Sequence, residues 1–351
     1  MQLKNVMWCL TGVLFLTISC SSNKNTNPTP TPKDTYTPPS VSTTFAKGAD
    51  ISWVTQMESQ GVKFYDKSGQ QQDIFALMKS LGFNSIRLRA WVNPSDGWCN
   101  TADLLKKALR AQNAGMKIMV DFHYADSWAD PGKQPKPAAW VPLSFNSLVS
   151  TLHDYTVHVM DTLKTNGITP DWVQVGNEVD DGMLWEDGRA STHMANFAAL
   201  VEAGYEAVKS VSNTTKVIVH VSNGYDNTHF RWLFDGLKAN NAHWDIVGMS
   251  LYPSATNYKT YDTECLANMQ DMITRYGTPV MICEVGMSAS DPTDSRDFLA
   301  DIITKNNSLA SGNGLGVFYW EPEAYNWQGY GLGAFDNTGK PTIALDAFRG
   351  N

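Results

Sequence analysis

The chain has 351 residues, of which 42% are hydrophobic and 18% charged, so the composition excludes a largely disordered protein and allows either two ordinary domains or one α/β barrel of ~250 residues or more. The 27 Lys and Arg residues against 35 Asp and Glu give a net charge of −8, which offers no basic surface to a phosphate backbone and argues against nucleic acid or an acidic polymer as the partner. The 12 Trp, 13 Tyr and 14 Phe residues suit either a packed core or the flat faces of sugars.

The first residues are predicted to direct export. Residues 1–19 hold one basic residue and then an apolar run from Val6 to Ile18, which is shorter than the ~20 residues of a membrane span and has the length of the apolar part of a signal peptide. The run ends at Cys20 in a sequence that resembles a lipobox, so we expect Cys20 to be acylated and to anchor the protein in the outer membrane, at the cell surface. Ordinary signal cleavage beside an incidental cysteine is the alternative, because Thr17 stands where lipoboxes usually have leucine.

The segment after the leader is predicted to be an extended tether. Residues 20–44 are rich in Ser, Thr, Asn and Pro and show no apolar periodicity, as in linkers that separate a domain from its anchor. We therefore expect one folded domain over residues 45–351. Its three cysteines, Cys99, Cys265 and Cys283, are an odd number, which argues against a disulfide framework, and no cysteine or histidine spacing is typical of a structural zinc site.

From Ala46 onward, short apolar or β-branched runs alternate with longer stretches that repeat apolar residues at i, i+3 and i+4, the pattern of βα units around a parallel sheet. The predicted strands are Gly48–Val54, Ser85–Val92, Lys117–His123, Trp172–Gly176, Lys216–Ser222, Asp245–Leu251, Pro279–Val285 and Gly316–Glu321. The predicted helices are Asp73–Leu81, Ala102–Ala114, Phe145–Thr165, Met194–Ser210, Phe230–Ala239, Leu266–Tyr276, Asp297–Thr304 and Ile343–Phe348. Eight alternating units predict a (β/α)8 TIM barrel with long loops. A doubly wound sheet is the alternative fold, although no glycine-rich phosphate loop follows the first strand.

In such a barrel, polar residues at the carboxyl ends of the strands face the mouth of the active site. The predicted strand ends carry Asp50, Arg87, Arg89, Asp121, His123, Asn177, Glu178, His220, Asn223, Tyr252, Glu284, Trp320 and Glu321. This set combines acids, bases, amides and aromatic rings, but it contains neither a serine nucleophile elbow nor a metal triad.

Glu178 and Glu284 are the predicted catalytic pair. They end the fourth and seventh strands, and glycoside hydrolysis requires two carboxyl groups on opposite sides of the scissile bond. Burial raises the pKa of a carboxyl group and a neighbouring arginine lowers it, so the two groups can differ in protonation at one pH. In the alternative interpretation, Glu178 only caps the following helix and Glu284 only forms an ion pair.

Several long segments closely resemble glycoside hydrolase family 53, and the resemblance extends from about Ala46 to Phe348. They are Lys47–Ser52, Arg87–Pro94, Asp121–Gln134, Val173–Glu178 and Gly316–Pro322. The resemblance implies a retaining arabinogalactan endo-β-1,4-galactanase that cleaves galactan side chains of pectin, with residues 45–351 as its catalytic domain and carboxyl groups ~5–5.5 Å apart. Two alternatives remain: the same chemistry on another β-1,4-glycan such as mannan, or a surface glycan-binding lipoprotein without turnover.

The resemblance also implies residue roles. Glu178 matches the acid/base, Glu284 the nucleophile, and Asn177 and Tyr252 the partners of each. Trp320 matches the aromatic platform beneath the cleaved sugar. Either Arg87 or Arg89 matches the arginine of the second strand, and spacing does not choose between them because both lie on one strand face. The full set predicted to bind substrate is Asp50, Arg87, Arg89, Trp91, His123, Trp128, Asn177, Tyr252 and Trp320.

Some predictions have a packing alternative. His123 is either a buried barrel residue or a contact for sugar hydroxyls, and Trp91 and Trp128 either stack on galactose or anchor loops. Glu321 is predicted to be a structural hydrogen-bond partner and Cys283 a packing residue that points away from Glu284. Some relatives carry a calcium-binding insertion after the seventh strand. Here the segment 288–294 is short and lacks that motif, so calcium stays open and no cofactor is expected to be required.

Overall fold

Residues 36–350 are described by the computed structural model of the chain, in which eight parallel strands close into a barrel. In chain order the strands are β1 Ala46–Asp50, β2 Ser85–Ala90, β3 Lys117–Phe122, β4 Trp172–Val175, β5 Lys216–Val221, β6 Ile246–Leu251, β7 Val280–Val285 and β8 Gly314–Trp320. Each pairs with its neighbours in sequence, and β8 pairs with β1. The predicted TIM barrel is therefore confirmed and the doubly wound alternative is wrong, because that sheet would have two open edges.

Strand ends agree with the predicted ones to within two residues except in β1. That strand was predicted to continue to Val54, but it ends at Asp50, and Val54–Ser59 forms a short helix. The Asp50 carboxylate accepts hydrogen bonds from the backbone N–H and the hydroxyl of Ser52, at 2.9 and 2.5 Å. This local turn ends the strand directly after its last inward-facing residue.

Besides the short helix Val54–Ser59, seven α-helices lie around the barrel within residues 36–350: α1 Ile74–Ser80, α2 Thr101–Asn113, α3 Phe145–Thr165, α4 Ala190–Val211, α5 Asn227–Ala239, α6 Tyr258–Tyr276 and α7 Pro292–Asn307. The helix α3 has the predicted bounds, whereas α4, α6 and α7 begin four to eight residues earlier because their first turns are too polar to show an apolar repeat. The predicted eighth helix is a 3₁₀ helix, Ile343–Phe348. A small hairpin between β1 and α1, Phe64–Tyr65 with Gln71–Gln72, was not predicted.

The barrel interior has an apolar half and a polar half. Near the amino ends of the strands it is filled by Ala46, Met119, Trp172, Ile218, Ile246, Met281, Cys283 and Phe318. Gly48 makes this packing possible, since a Cβ at that position would lie 2.0 Å from the Phe318 ring. Toward the carboxyl ends the buried residues are polar, so the fold gathers charge at one mouth of the barrel.

A bulge in β7 positions the end of that strand. The register with β6 shifts between the pairs Met249–Ile282 and Ser250–Glu284, which leaves Cys283 as the additional residue. Cys283 is fully buried in the apolar half of the barrel, as predicted, whereas Glu284 reaches the polar mouth. Bulges commonly redirect a side chain in this way.

The predicted signal peptide, residues 1–19, the acylated Cys20 and the tether up to residue 35 lie outside the described residues. The remainder of the predicted tether, residues 36–44, contains neither helix nor strand. Within residues 36–350, no helix is both long and apolar enough to cross a bilayer.

Candidate active site

A cavity of about 300 Å³ opens at the carboxyl ends of the strands. It is lined by His123, Trp128, Ala129, Asp130, Asn177, Glu178, Tyr252, Glu284, Trp320 and Leu332. Seven of these were predicted from the sequence as site residues, among them both glutamates. The two residues predicted to share the chemistry therefore face one cavity from β4 and β7, although they are 106 positions apart along the chain.

Glu284 is held at both carboxylate oxygens. The Tyr252 hydroxyl donates to one oxygen at 2.6 Å, and the Arg87 guanidinium lies 2.8 Å from the other. Burial raises the pKa of Glu284 to about 7, while the charge of Arg87 and the Tyr252 hydrogen bond oppose that rise. These two contacts stabilise the ionised form and hold the carboxylate in one orientation.

Arg87 is the centre of the charged network beneath the cavity. Its guanidinium lies 2.6 Å from Asp50 and 2.9 Å from Asp121, and it also donates to the side-chain oxygen of Asn177 at 2.9 Å. One fully buried cation thus faces three carboxylates, including Glu284. The geometry identifies Arg87 as the second-strand arginine that contacts Glu284, a choice that spacing left open.

Glu178 follows β4 with a left-handed backbone, at a φ of 43°. Burial raises the pKa of Glu178 well above its usual value, and the negative charge of Glu284 raises it further, while a hydrogen bond with Ser250 opposes the rise. Glu178 therefore retains its proton in the pH range where Glu284 ionises. Such a pair, one carboxylic acid beside one carboxylate, provides a proton donor and a nucleophile in the same cavity.

A buried hydrogen-bond network supports these groups from β4 and β5. The amide nitrogen of Gln174 contacts Asp121 at 3.1 Å and the His220 ring at 2.8 Å, and the other ring nitrogen of His220 lies 2.8 Å from the Ser250 hydroxyl. Burial and Arg87 lower the pKa of His220, so the ring is neutral. Gln174 and Ser250 were not singled out from the sequence. Their only signal was a polar residue in an otherwise apolar strand.

The contacts of His123 agree with its interpretation as a buried barrel residue, and contact with sugar hydroxyls stays a prediction. Its Nε2 lies 2.9 Å from Asp121, and its Nδ1 accepts the backbone N–H of Ala129 at 3.1 Å. Both ring nitrogens therefore have protein partners, as expected of a buried barrel residue. The ring also lines the cavity.

Asp50, Arg87, Arg89 and Trp91 were predicted to bind substrate, but none of them lines the cavity. Asp50 and both arginines are at most 1% exposed and Trp91 is 8% exposed, because they lie one layer deeper in the barrel or behind the loop after β3. In this structure these four residues contact other residues of the site and not the cavity, and their binding of substrate stays a prediction.

Arg89 stacks on the rings of Trp91 and Trp128, which together form what we call the aromatic wall. Its guanidinium carbon lies 4.1 Å from the ring centre of Trp128 and 4.8 Å from that of Trp91, and one of its nitrogens lies 3.2 Å from Glu321. Glu321 is fully buried and also accepts the backbone N–H of Trp53 at 3.1 Å. The structural role predicted for Glu321 agrees with these contacts.

A second cavity of about 300 Å³ adjoins the first and shares Trp128 and Trp320 with it. Trp53, Gln328, Gly329 and Tyr330 complete its lining. Trp53 and Tyr330 belong to the loops after β1 and β8, and no local sequence pattern distinguished them as site residues. Their aromatic rings extend the apolar surface beyond the two glutamates.

Within residues 36–350, no group of three or more His, Cys, Asp and Glu residues has an arrangement that could hold a metal ion. In the short segment after β7, the Ser288 hydroxyl lies 2.7 Å from that of Ser290, and the backbone N–H of Ala289 donates to Gly331 at 2.8 Å. Hydrogen bonds between hydroxyl groups and between backbone groups therefore hold the segment after β7 in place.

Comparisons with known proteins agree on one family. The model of Glycosyl hydrolase family 53 matches residues 46–348. An uncharacterised protein of Niallia circulans is 36% identical over 309 residues, covering 79% of this chain and 83% of that protein. The arabinogalactan endo-β-1,4-galactanase of Humicola insolens is 31% identical over 313 residues, covering 83% and 93%. The solved family 53 catalytic domain of Ignisphaera aggregans superimposes with a TM-score of 0.82 at 27% identity, covering 89% of this chain and 98% of that domain.

Proposed function

The chain belongs to glycosyl hydrolase family 53, and on that premise we propose that it is an endo-acting enzyme that hydrolyses the β-1,4-galactosidic bonds of galactan, as found in the type I arabinogalactan of pectin. The family match over 46–348 carries this proposal, together with the relatives that are named galactanases. The cavity is open at the barrel mouth and bordered by Trp128 and Trp320, and such rings stack on the apolar faces of sugars.

The proposed reaction is a double displacement. A Glu284 oxygen attacks the anomeric carbon while the bond to the leaving oxygen breaks, and the Glu178 proton passes to that oxygen. A water molecule then attacks the anomeric carbon, gives its proton to Glu178 and frees the Glu284 carboxylate. The higher pKa of Glu178 supports this division of roles, because the acid must be protonated when the nucleophile is ionised.

Three neighbouring side chains fix the position and charge of the reacting groups. Tyr252 and Arg87 leave Glu284 ionised and oriented. The Asn177 side chain donates to the backbone oxygen of Ala129 at 2.9 Å and accepts from Arg87, so its amide is fixed at the cavity wall. We expect this amide to bind the 2-hydroxyl of the cleaved sugar and Trp320 to stack beneath its ring.

Incubation of purified protein with galactan, mannan and β-glucan tests the substrate class. We expect new reducing ends and short oligosaccharides from galactan alone. Release from mannan or β-glucan instead would assign the same chemistry to a different sugar. Binding of galactan without any release of reducing ends would favour the glycan-binding alternative.

Two further measurements test the chemistry. Because two inversions restore the starting configuration, NMR of early products should show the β anomer first, and an initial α anomer would exclude a glycosyl-enzyme. Removing either glutamate, by Glu284→Gln or Glu178→Gln, should lower kcat on galactan by roughly 10²–10⁴-fold or more. Wild-type turnover in Glu284→Gln would remove its assignment as nucleophile.

We also propose that the mature protein begins at Cys20 and that the acyl group on Cys20 anchors it at the cell surface. The segment up to residue 44 then links this anchor to the barrel. The apolar leader and the composition of residues 20–44 support this localisation. In the native host, Cys20→Ser should move the protein from the membrane fraction to the soluble fraction. Equal partitioning of wild type and variant would contradict the lipid anchor. No cofactor enters the proposed reaction, so we expect galactan hydrolysis to persist in EDTA.

A further inference from the structure

Gln134 lies near the middle of the loop between β3 and α3, and its side chain reaches the backbone at the end of β4. The side chain is buried, with 2% of the residue exposed. Its amide nitrogen donates to the backbone oxygen of Asn177 at 2.9 Å and to that of Glu178 at 3.1 Å. Gln134 does not line the cavity, so it contacts the chain that carries the acid rather than the space for the sugar.

The backbone that Gln134 holds has an unusual conformation. Glu178 is not a glycine, yet its φ of 43° lies in the left-handed region, which such residues adopt only where their surroundings hold them. The N–H of Glu178 lies 3.4 Å from the His220 ring, and the N–H of Val179 donates to the His220 backbone oxygen at 2.9 Å. His220 thus binds the donors of this segment, and Gln134 binds its acceptors.

The loop that supplies Gln134 is itself fixed at several points. The amide nitrogen of Gln134 also contacts the backbone oxygen of Asp130 at 3.2 Å, and the backbone oxygen of Gln134 accepts the N–H of Trp185 at 2.8 Å. Ala129, earlier in the same loop, accepts the Asn177 side chain. A buried amide with these anchors can hold a neighbouring carboxylic acid in one position.

We propose that Gln134 is a positioning residue for the general acid: it keeps the Glu178 backbone left-handed so that the carboxylic acid points at the leaving oxygen. This inference rests on the proposed role of Glu178. Without the two hydrogen bonds the segment relaxes, and the proton of Glu178 no longer lies within reach of the glycosidic oxygen.

The dependence on the leaving group distinguishes this role from a general loss of structure. Galactan has a poor leaving group that needs protonation, whereas a 2,4-dinitrophenolate leaves without it. For both substrates, kcat/KM reports formation of the glycosyl-enzyme. The ratio of the two kcat/KM values is independent of the fraction of enzyme that is folded, so partial unfolding of a variant does not change it.

The experiment compares Gln134→Met, which retains the size of the side chain without its donors, with Lys133→Ala in the same loop. Lys133 is exposed and its ammonium group lies 3.6 Å from the Asp130 carboxylate. Glu178→Ala is the reference for loss of the acid itself. Each protein is assayed on galactan and on 2,4-dinitrophenyl β-1,4-galactobioside, and its thermal midpoint is measured. Gln134→Asn, whose amide is one methylene shorter, is the second variant if Gln134→Met does not fold.

We expect Gln134→Met to lower kcat/KM on galactan at least about tenfold and on the dinitrophenyl substrate less than about threefold, in the direction of Glu178→Ala. Lys133→Ala should match the wild type on both substrates. Equal losses on both substrates, or no loss on galactan, would overturn the positioning role. If Glu178→Ala itself loses both activities equally, the proposed role of Glu178 fails instead.

Discussion

Arg87 determines the charge balance of the cavity floor. A single guanidinium contacts Asp50, Asp121 and Glu284 within 2.9 Å, so the carboxylates outnumber the cation. The pKa of Glu284 consequently stays raised, at about 7, although an arginine is in direct contact. Arg87 is therefore not the sole group that stabilises this carboxylate, since the Tyr252 hydrogen bond also lowers its pKa.

Tyr252→Phe tests that contribution. The Tyr252 hydrogen bond lowers the pKa of Glu284, so its removal should raise that pKa and move the acidic limb of the kcat/KM profile to higher pH. We also expect kcat on galactan to fall about tenfold or more, because a hydrogen bond to a charged group is lost. Tyr276→Phe, which removes a hydroxyl from Asp235 at the surface, should leave the profile unchanged. An acidic limb that stays in place in Tyr252→Phe would contradict this account of Glu284.

At the scale of elements, loops after different strands meet around one arginine of β2. Arg89 stacks on Trp91 and Trp128 and pairs with Glu321. Trp128 and Trp320 belong to both cavities, and their ring centres are 5.8 Å apart. The aromatic wall is therefore supported by Arg89, whose buried charge lies outside the cavity.

Arg89→Lys retains that charge but loses the planar group that stacks on the tryptophans. We expect KM for galactan to rise roughly threefold to tenfold and kcat to change less, since cation–π contacts contribute ~0.5–2 kcal/mol each. Arg110→Lys is the matched control, because Arg110 stacks on Phe75 and pairs with Glu58 and Asp73 away from the cavity. A rise in KM in both variants, or in neither, would argue against a role of Arg89 in the aromatic wall.

Helices α6 and α7 share a buried carboxyl group. Asp262 on α6 is fully buried and interacts with Asp301 on α7, which pairs with Lys305 at 2.5 Å. Burial, reinforced by the charge of Asp301, raises the pKa of Asp262 to about 9. The folded chain thus binds a proton that the unfolded chain releases near pH 4.

Asp262→Asn replaces the protonated carboxyl group with an amide, which is neutral at every pH in this range. The contribution of Asp262 to the free energy of unfolding falls as pH rises from about 4 to about 9, because only the folded state keeps this proton there. The variant lacks this contribution, so we expect it to gain roughly 2–3 kcal/mol on the wild type between pH 6 and 8, at about 1.4 kcal/mol per pH unit. Urea unfolding at both values measures the difference. A constant gap between the two proteins would show that folding does not raise the pKa of Asp262 above this range.

For the whole molecule, burial of several acids predicts how stability depends on pH. The pKa values of Glu284, Glu321 and Asp262 are raised, to about 7, 8 and 9. In the opposite direction, Arg231 holds the pKa of Asp271 at about 2. The stability that the three carboxyl groups with raised pKa values contribute is present at low pH and is lost as pH rises through these values. The stability that Asp271 contributes is lost below about pH 4.

We therefore expect the thermal midpoint to be highest near pH 5 and to fall steadily toward pH 9. Calorimetry at constant ionic strength measures this trend. A midpoint that rises between pH 5 and pH 9 would contradict the raised pKa values. Asp262→Asn should show a shallower fall, which separates its share from those of the two glutamates.

Local patterns in the sequence determined the element order and the proposed catalytic pair. Alternation and apolar periodicity act over a few residues, so the eight strands, most helices and the strand-end positions of Glu178 and Glu284 could be predicted from them. Predicted bounds differed mainly where a side chain changes the local path, as Asp50 does at the end of β1, or where a helix begins with a polar turn.

Only the tertiary structure decided which residues reach these glutamates. Arg87 and Arg89 have the same strand face and the same burial, yet one contacts Glu284 and the other Glu321. The contact of Gln134 with Glu178 joins residues 44 positions apart. Such contacts, and the pKa values that follow from them, depend on how strands and loops that are distant in the chain pack together. A periodic pattern over a few residues carries no information about this packing.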